Sequence, residues 1–474
     1  MSDLRAARTA PRSLRRSLVH GFRTGGLRGA SALSDLAPPS YRYGVLRRAS
    51  RTVLGTVDLP VVADTAGLAT RSDTQSVVLS PITPELTCAL LTGSLDVGGV
   101  EAVVETLATQ LPAVGVQTSV ICTAEGRTAD RIRAAGVPVL EASGPDEVRA
   151  ALRAVAPDVI EVHNAPAALE GALNGSTVPY VWVVHNLEIH RTSADWAAVR
   201  DAAEQAVATI AVSDAVRRHH LSHVRAAAAE RTIVVPNGVN ASFAQVPRSQ
   251  ARKALERVVA LEPDDVVVVS LARYDAQKNL PALVRAFARA AVREPRLRLV
   301  VAGGVPDVLE YRWTDAERTS GPASDRVHLL GPSDSATLLA SADAFVLNSF
   351  FEGWSVAATE AVIAGVPAVL SDVGGAVDLA RVVPGWVTVV PAPTGTATVD
   401  DRSVRAARRR TRQANDQELV EALVALADRP ETPAPARALT DQLSSSEMVR
   451  RHAEVLRAAL QGSLDPPGPS ETAR

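Results

Sequence analysis

Residues 266–271, with the sequence VVVVSL, form an uninterrupted apolar run of strand length. A run of this kind is typical of a strand that is buried on both faces, as in a parallel sheet covered by helices. Five similar segments follow, separated by amphipathic helical patterns, at residues 297–302, 327–330, 344–347, 368–370 and 387–390. This half of the chain therefore predicts a doubly wound α/β domain.

The preceding half of the chain contains a series of the same character. Its strand-like segments are residues 86–91, 119–122, 158–162, 180–184, 208–212 and 232–235. The sequence Pro236-Asn237-Gly238 interrupts the pattern, and residues 240–262 read as a linker. Two consecutive series of similar length predict an α/β protein with two doubly wound Rossmann-like domains that face each other across a cleft.

Composition and patterning divide the chain into five parts. We expect a basic N-terminal extension, disordered or lying on a membrane surface, then an N-terminal and a C-terminal Rossmann-like domain, a closing C-terminal helix and a disordered tail. The expected boundaries are 1–80, 81–245, 246–430, 431–462 and 463–474.

Charge is distributed unevenly along the chain. Residues 1–52 contain eleven arginines and two aspartates, whereas the whole chain of 474 residues has a net charge of −2, so the remainder is acidic. This distribution argues against a nucleic-acid partner. Short amphipathic patterns at residues 12–18 and 41–54 could give a peripheral membrane contact, and a solvated basic tail is the alternative.

The apolar segments and the cysteines indicate the compartment. No apolar run is long enough to span a membrane, and the N-terminus lacks the apolar core of a secretory signal. Cys88 and Cys122 lie in strand-like runs and read as reduced core residues. We expect a cytoplasmic protein, associated at most peripherally with the inner face of the membrane.

Two glutamates, Glu352 and Glu360, stand eight residues apart in the segment FFEGWSVAATE. A helix that begins near Trp354 would turn both carboxylates toward one side, because eight residues make about two helical turns. The free N–H groups at its N-terminus would face a sugar or a diphosphate. Two solvated glutamates on a surface helix are the alternative.

Arg273 and Lys278 form the second candidate group. They follow the 266–271 run, and the chain has only one other lysine, Lys253. Fixed cations beside a diphosphate leaving group would stabilise the charge that develops as its bond to a sugar breaks. An exposed arginine and lysine on a loop are the alternative.

Further candidates follow strands of the first series. Gly98 and Gly99 stand at a strand-to-helix junction, where glycine lets backbone N–H groups approach a phosphate or a sugar, although a tight turn is an equal alternative. His185 follows the 180–184 strand and would project into the ligand crevice. His219 and His223 are one helical turn apart, but we read them as a solvated helix face and predict no metal site.

These elements together resemble glycosyltransferase family 4, the retaining nucleotide-sugar enzymes with the GT-B fold and the E-x7-E motif. The resemblance covers about residues 85–460. Five elements occur in the family's order: Gly98-Gly99-x-Glu101, the strand ending at His185, Pro236-Asn237-Gly238-Val239, Arg273 with Lys278, and Glu352/Glu360 followed by Gly374-Gly375.

The resemblance implies a role for each candidate residue. The catalytic group would be Glu352, Lys278, Arg273 and His185. In the donor-side domain, residues 246–430, Arg273 and Lys278 would hold the diphosphate of the donor, and Glu360 would hold its ribose. The sugar of the donor would be contacted by Glu352, Gly353, Trp354 and Ser355. From the acceptor-side domain, residues 81–245, Gly98 and Gly99 would close over the donor.

The resemblance also implies an activity. It is a hexosyltransferase-like transfer with retention from a nucleotide-diphosphate sugar, as co-substrate, to a glycan, lipid-linked or small-molecule acceptor, with no metal and no other cofactor. A cell-envelope glycan is one such acceptor. Two alternatives remain: a catalytically inactive scaffold of the same fold that binds a ligand or partner, and a nucleotide-sugar epimerase or hydrolase. A nicotinamide oxidoreductase would carry G-x-G-x-x-G after a strand, and the chain does not.

Overall fold

The computed structural model describes residues 25–31, 33–37, 41–63, 86–96, 98–163, 171–173, 175–225, 228–240, 246–396, 398–428 and 435–461. The chain divides into two compact units. The first unit contains residues 72–241, 352–359 and 436–474, and the second contains residues 1–71, 242–351 and 360–435. Each unit is built on one parallel β-sheet.

Sixteen α-helices have bounds within the described residues. In chain order, α1 to α16 are Arg47–Leu54, Gly99–Gln110, Arg127–Ala134, Pro145–Val155, Ser193–Gln205, Asp214–Leu221, Arg248–Glu256, Leu280–Arg293, Val308–Ser320, Ser335–Ser341, Val356–Ile363, Ala376–Val382, Asp401–Arg409, Asp416–Leu426, Arg437–Asp441 and Ser445–Gln461.

The sheet of the first unit has seven parallel strands in the order β3-β2-β1-β4-β5-β6-β7. Six of them confirm the predicted segments. The edge strand β3 was missed because it has three residues and no apolar run. The strands are β1 Leu86–Ser94, β2 Val116–Ala124, β3 Val139–Glu141, β4 Val159–His163, β5 Tyr180–Val184, β6 Ala208–Ala211 and β7 Thr232–Val234.

The sheet of the second unit has six parallel strands in the order β10-β9-β8-β11-β12-β13, all of them predicted. The strand order reverses between β8 and β11, and ligands of doubly wound sheets bind at the carboxyl ends of strands at such a point. The strands are β8 Val266–Leu271, β9 Leu297–Ala302, β10 Val327–Leu330, β11 Ala344–Leu347, β12 Ala368–Ser371 and β13 Val387–Val390.

Helix α8 illustrates how the sequence forms the layers of this unit. Pro281 is in its first turn, where the missing N–H leaves no unsatisfied partner, and Asn279 adopts the left-handed conformation just before it. Leu283, Phe287 and Ala290 recur at helical spacing and are completely buried. The apolar face of α8 therefore covers the sheet.

The closing helix α16 packs on the first unit, against α2, β4 and β5. Its entry is held by the backbone of Val239, whose N–H donates to the Leu443 carbonyl (2.9 Å) and whose carbonyl accepts from Ser445 N–H (2.8 Å). A Cβ added at Gly238 would be 2.1 Å from the Ser444 carbonyl oxygen. Glycine is thus required at position 238 by this close backbone approach.

Residues 25–31, 33–37 and 41–63, here called the N-terminal arm, pack on the second unit. Ser31, Asp35, Arg42 and Val62 are buried there. For these residues this differs from the expected disorder, because the polar residues of the arm find buried partners far along the chain, such as Arg408. Residues 1–24 and 64–80 lie outside the described residues.

The histidines of α6 also differ from their prediction. His223 stacks on Trp196 with ring centroids 4.0 Å apart, and His219 meets the same ring edge-on at 5.7 Å. His220 is buried, and burial lowers the pKa of both His219 and His220 to about 4. The interpretation as a solvated face is therefore wrong, because His219 and His223 pack on Trp196 and His220 is buried.

Candidate functional site

The loop after β8 holds Arg273 and Lys278. Asp275 caps the 3-10 helix Ala276–Lys278 by accepting the Lys278 N–H at 3.2 Å, and its other carboxylate oxygen lies 2.9 Å from Nε of Arg273. The Arg273 side chain is half exposed. One carboxylate therefore orients the arginine side chain and the backbone of the lysine, at the carboxyl end of a strand at the reversal point.

Tyr274 anchors this loop, and the sequence reasoning did not find it. Its side chain is completely buried, and its hydroxyl lies 3.1 Å from the Val301 carbonyl and 3.0 Å from the Leu330 carbonyl. A Cβ added at Gly303 would be 2.2 Å from the carbonyl oxygen of Ala272. The loop is thus fixed to the ends of β9 and β10, which restricts where Arg273 and Lys278 can lie.

The loop after β8 is also bonded to the loop after β11, which leads into Glu352. Phe350 N–H donates to the Gln277 carbonyl, and Nε2 of Gln277 donates to the Phe351 carbonyl, both at 2.9 Å. Nδ2 of Asn279 donates to the Asn348 carbonyl at 3.0 Å. These bonds make one rigid support for the predicted cations and for the residues that precede Glu352.

Helix α11 begins at Val356, two residues later than predicted. Ser355 caps it, because its Oγ accepts the Ala358 N–H at 3.2 Å, and Nε1 of Trp354 donates to Oγ1 of Thr359 at 2.9 Å. Glu352 is buried in the loop before the helix. The argument that one helix turns both glutamates to one side is therefore wrong for Glu352, and Glu360 alone lies on α11.

Glu360 has an altered acidity. Burial raises its pKa to about 7, and the nearby carboxylate of Asp334 acts in the same direction. A carboxyl whose pKa is raised in the folded state adds to the free energy of unfolding at pH values below its ordinary pKa. This contribution is lost as the pH rises toward 7. The ionised form therefore costs about 3 kcal/mol relative to the unfolded chain. Glu360 is partly exposed, and a carboxyl with a raised pKa that ligands can reach is a candidate binding group.

Gly98 and Gly99 lie where β1 leads into α2. The backbone of Gly98 is fully extended, a conformation open to any residue. A Cβ at Gly98 would, however, be 2.3 Å from Oε2 of Glu101, whereas the same atom at Gly99 would meet nothing within 4 Å. The carboxylate of Glu101 thus folds back onto the start of α2, where the helix dipole favours a negative charge.

His185 follows β5 and is paired with a second histidine. Its Nε2 lies 2.8 Å from Nδ1 of His163, at the end of the adjacent strand β4. Burial lowers the pKa of His185 to about 3, and the charge of His452 adds to this effect. Nδ1 of His185 is buried and has no hydrogen-bond partner among the described residues. A neutral ring with one free nitrogen can bond a hydroxyl.

A buried polar chain continues behind this pair. Oε1 of Glu161, on β4, lies 4.0 Å from Nε2 of His163 and 2.5 Å from Nδ1 of His452, on α16. Both glutamate and histidine are buried. Sequence reasoning missed Glu161 and His452 because they are 291 residues apart.

Gly353 lies against the backbone of His185 within the first unit. A Cβ at position 353 would be 1.8 Å from the His185 carbonyl oxygen and 3.1 Å from Cγ2 of Val212. A side chain at this position is therefore excluded. The structure brings Gly353 and His185 together in the first unit. In the second unit, Arg273 and Lys278 follow the carboxyl end of β8, and Glu360 lies on α11, the helix that follows β11.

Metal ions and membranes are two further possible partners of the described residues. Within these residues no group of three or more histidine, cysteine, aspartate or glutamate side chains could hold a metal ion. Of the helices in the described part of the chain, none is both long and apolar enough to cross a membrane.

Comparison with protein families identifies the chain. The model described as Glycosyltransferase Family 4 matches residues 97–243, and the model described as Glycosyl transferases group 1 matches residues 251–394. Two matches of this kind on two Rossmann-like domains define a glycosyltransferase of the GT-B class. The chain belongs to glycosyltransferase family 4.

Curated relatives match parts of the chain. The D-inositol 3-phosphate glycosyltransferase of Actinosynnema mirum is 33% identical over 171 residues, which is 34% of this chain and 40% of that protein. An uncharacterised glycosyltransferase of Methanocaldococcus jannaschii is 27% identical over 238 residues, 47% of this chain and 60% of that protein. The chain thus spans less than two thirds of the length of these relatives.

Solved structures resemble the chain over a larger share. HepE of Anabaena, in complex with UDP-glucose, superposes with a TM-score of 0.61 and 20% identity, covering 79% of this chain and 100% of that one. Sucrose-phosphate synthase of Thermosynechococcus elongatus gives a TM-score of 0.60 and 17% identity, covering 80% of this chain and 100% of that one. At these identities the likeness establishes the fold.

Proposed function

We propose that this protein transfers a sugar, with retention of its anomeric configuration, from a nucleotide-diphosphate sugar to a hydroxyl of an acceptor. The proposal rests chiefly on the hydrogen bonds that tie the loop of Arg273 and Lys278 to the loop preceding Glu352. These hydrogen bonds join the loop that carries two cations to the loop that leads into the buried Glu352. Named relatives of the chain are glycosyltransferases, and one solved neighbour contains UDP-glucose.

Arg273 and Lys278 stabilise the leaving group. When the bond between the sugar C1 and the diphosphate oxygen breaks, negative charge accumulates on the diphosphate, and Arg273 and Lys278 stabilise it. The acceptor oxygen bonds to C1 from the face that the diphosphate leaves. Its proton passes to the departing diphosphate oxygen, so the reaction needs no nucleophile from the protein and no metal ion.

The remaining residues position the two substrates. Glu352 and the backbone from Gly353 to Ser355 contact the donor sugar, and Glu360 accepts the ribose hydroxyls. His185 bonds a sugar hydroxyl through its free Nδ1, which His163 helps to aim by holding the other ring nitrogen. The close fit of Gly353 on the His185 backbone favours this placement.

The acceptor supplies the hydroxyl that receives the sugar. We propose a glycan, lipid-linked or small-molecule hydroxyl, with the reaction taking place in the cytoplasm or at the inner membrane face. The basic residues 1–52 support a peripheral contact, since cationic segments are attracted to anionic lipids. Flotation with anionic and with neutral vesicles would test this contact, and equal binding to both would contradict it.

Donor binding is the first test. The full chain would be heated with UDP, ADP, GDP, UDP-glucose, ADP-glucose or GDP-mannose in the presence of EDTA. A ligand at about 100 times its Kd adds about 2.7 kcal/mol of stability, so we expect one base to raise the melting temperature clearly. Incubation of that nucleotide sugar with candidate acceptors, followed by NMR of the product anomer, would then test retention.

The outcomes separate the proposed function from its alternatives. Binding without transfer to any acceptor would favour the inactive scaffold. A changed sugar configuration in the nucleotide sugar itself would favour the epimerase. Absence of any thermal shift would contradict a nucleotide-sugar site in this chain.

Nucleotide binding is expected to release protons near neutral pH. Glu360 has a pKa of about 7 in the free protein and is therefore roughly half protonated at pH 7. Ribose hydroxyls donate to the ionised carboxylate, so binding lowers its pKa. Affinity should rise from pH 6 to pH 8 and then level off.

Calorimetry in two buffers of different ionisation enthalpy measures this release. We expect about half a proton per bound nucleotide at pH 7. The Glu360→Gln variant is the control, because its amide cannot ionise. The same release from this variant, or an affinity independent of pH, would contradict the role of Glu360.

A further inference from the structure

The end of the N-terminal arm pairs with the loop after β10. Gly331 N–H donates to the Pro60 carbonyl at 2.8 Å, and Asp334 N–H donates to the Val62 carbonyl at 3.0 Å. The Val62 N–H in turn donates to Oγ of Ser333 at 3.0 Å. Residues 60–62 of the arm therefore make three hydrogen bonds to residues 331–334, and they lie beside this loop like an added strand at the carboxyl end of β10.

This loop is close to the proposed ribose carboxylate. Asp334 belongs to it, and its charge acts on the acidity of Glu360. Val62 is buried, and a Cβ added at Gly331 would lie 3.1 Å from Cγ1 of Val61. The arm therefore holds the loop that stands beside Glu360.

The middle of the arm crosses the loop after β9. Nε of Arg47 donates to the Pro306 carbonyl at 2.5 Å, and Arg51 reaches the Val305 carbonyl at 3.5 Å. The Arg47 side chain is half buried and lines one cavity together with Asp307 and with Ala276, which belongs to the loop after β8. The arm thus brings a further cation next to the pair that is proposed to hold the donor diphosphate.

These two contacts lie at the carboxyl ends of β9 and β10, which stand on the same side of the sheet as β8, and the strand order reverses between β8 and β11. Such strand ends are where doubly wound sheets bind ligands. We propose that two parts of the N-terminal arm belong to the donor-nucleotide pocket: Arg47 binds the phosphates together with Arg273, and residues 60–62 shape the nucleoside side beside Glu360. This inference rests on the proposed function and adds a specificity element from outside the two Rossmann-like domains.

Binding of a nucleoside diphosphate and of its parent nucleoside to full-length variants tests the inference. The diphosphate would be whichever of UDP, ADP or GDP binds the unaltered chain, with its Kd measured by calorimetry. Arg47→Gln should weaken diphosphate binding about tenfold and leave nucleoside binding unchanged, since it removes one charged phosphate contact. Arg47→Lys should retain most of the affinity because it keeps the charge.

A second variant tests the nucleoside side. Val61→Asp places a carboxylate against Gly331 and should weaken the nucleoside and the diphosphate alike. Val53→Asp, on the exposed face of α1, is its matched control, and Arg51→Gln is the control for Arg47. Circular dichroism and melting temperature would show that each variant is folded.

The outcomes distinguish failure of the inference about the N-terminal arm from failure of the proposed function. Equal affinities of Arg47→Gln and Arg51→Gln, together with equal affinities of the two valine variants, would overturn the inference while leaving the proposed function intact. Tighter binding by Arg47→Gln or Val61→Asp would also overturn it, since the arm would then obstruct the pocket. If the unaltered chain binds none of the three diphosphates, the proposed function fails and the inference fails with it.

Discussion

Replacing Lys278 with alanine is expected to lower the rate of sugar transfer by about 10² to 10³-fold, because one well-placed donor to a developing negative charge is worth about 3 to 4 kcal/mol of barrier. The fold should not change. The backbone N–H of Lys278 keeps its bonds to Asp275, and the loop keeps its anchors through Tyr274 and Asn279.

The chain supplies a matched control for this variant. Lys253, the only other lysine, is exposed on α7, so Lys253→Ala removes an equal charge far from the loop along the chain. Initial rates with saturating donor, together with the Kd of the free diphosphate, would be measured for both. A Lys278→Ala enzyme that turns over at nearly the normal rate would show that the donor diphosphate binds elsewhere.

Replacing Arg408 with leucine is expected to destabilise the second unit by about 3 to 5 kcal/mol, the usual cost of breaking a buried ion pair from one side. The guanidinium is 5% exposed, and its Nε lies 2.9 Å from Oδ2 of Asp35. Nη2 bonds Glu310 and lies 2.5 Å from Oγ of Ser31. Burial lowers the pKa of Arg408, but the two carboxylates raise it overall.

Loss of the arginine leaves Glu310 buried without Arg408, and leaves Asp35 with the more distant Arg42, whose Nη1 lies 3.8 Å from Oδ1 of Asp35. Burial already raises the pKa of Glu310, and Arg408 opposes that effect, so Glu310 should take up a proton more readily in the variant. Because Ser31 and Asp35 belong to the N-terminal arm, the arm should also detach. Limited proteolysis should therefore cut the arm faster in Arg408→Leu than in the unaltered chain.

Arg409→Leu is the matched control, since its side chain is exposed on the same helix, α13. We expect this change to stay within about 0.5 kcal/mol. Adding Asp35→Asn and Glu310→Gln to Arg408→Leu should restore part of the stability by removing the unpaired charges. Equal melting temperatures and equal proteolysis rates for the two arginine variants would contradict the importance of this ion-pair cluster.

Much of the fold could be predicted because parallel strands buried on both faces leave a strong local pattern. Twelve strand predictions were confirmed in this way, whereas β3 was missed because its sequence, Val139-Leu140-Glu141, has only two adjacent apolar residues. The start of α11 was predicted two residues early. Its true start depends on Ser355, whose side chain caps the helix, and on the close packing of Gly353.

Sequence reasoning selected only some of the residues that meet at these strand ends. Arg273, Lys278 and His185 were candidates because each follows a strand, and the carboxyl ends of parallel strands share one edge of a sheet. Tyr274 and Asn279 were missed because an aromatic residue and an asparagine in a loop have no local feature that tells an anchor from a solvated side chain. Glu161 and His452 were missed because they meet only in the folded chain.

The two-domain α/β architecture, the family and the strand ends that carry the candidate residues follow from the amino-acid sequence alone, because hydrophobic period and motif order are local properties of the chain. The acidity of Glu360, the bonding of the loops after β8 and β11, and the docking of the N-terminal arm depend on the folded chain. Each depends on residues far apart in sequence: Asp35 and Arg408 are 373 residues apart and meet only when the buried surface forms. Desolvation and ion pairing act through distance in space, which no local pattern records.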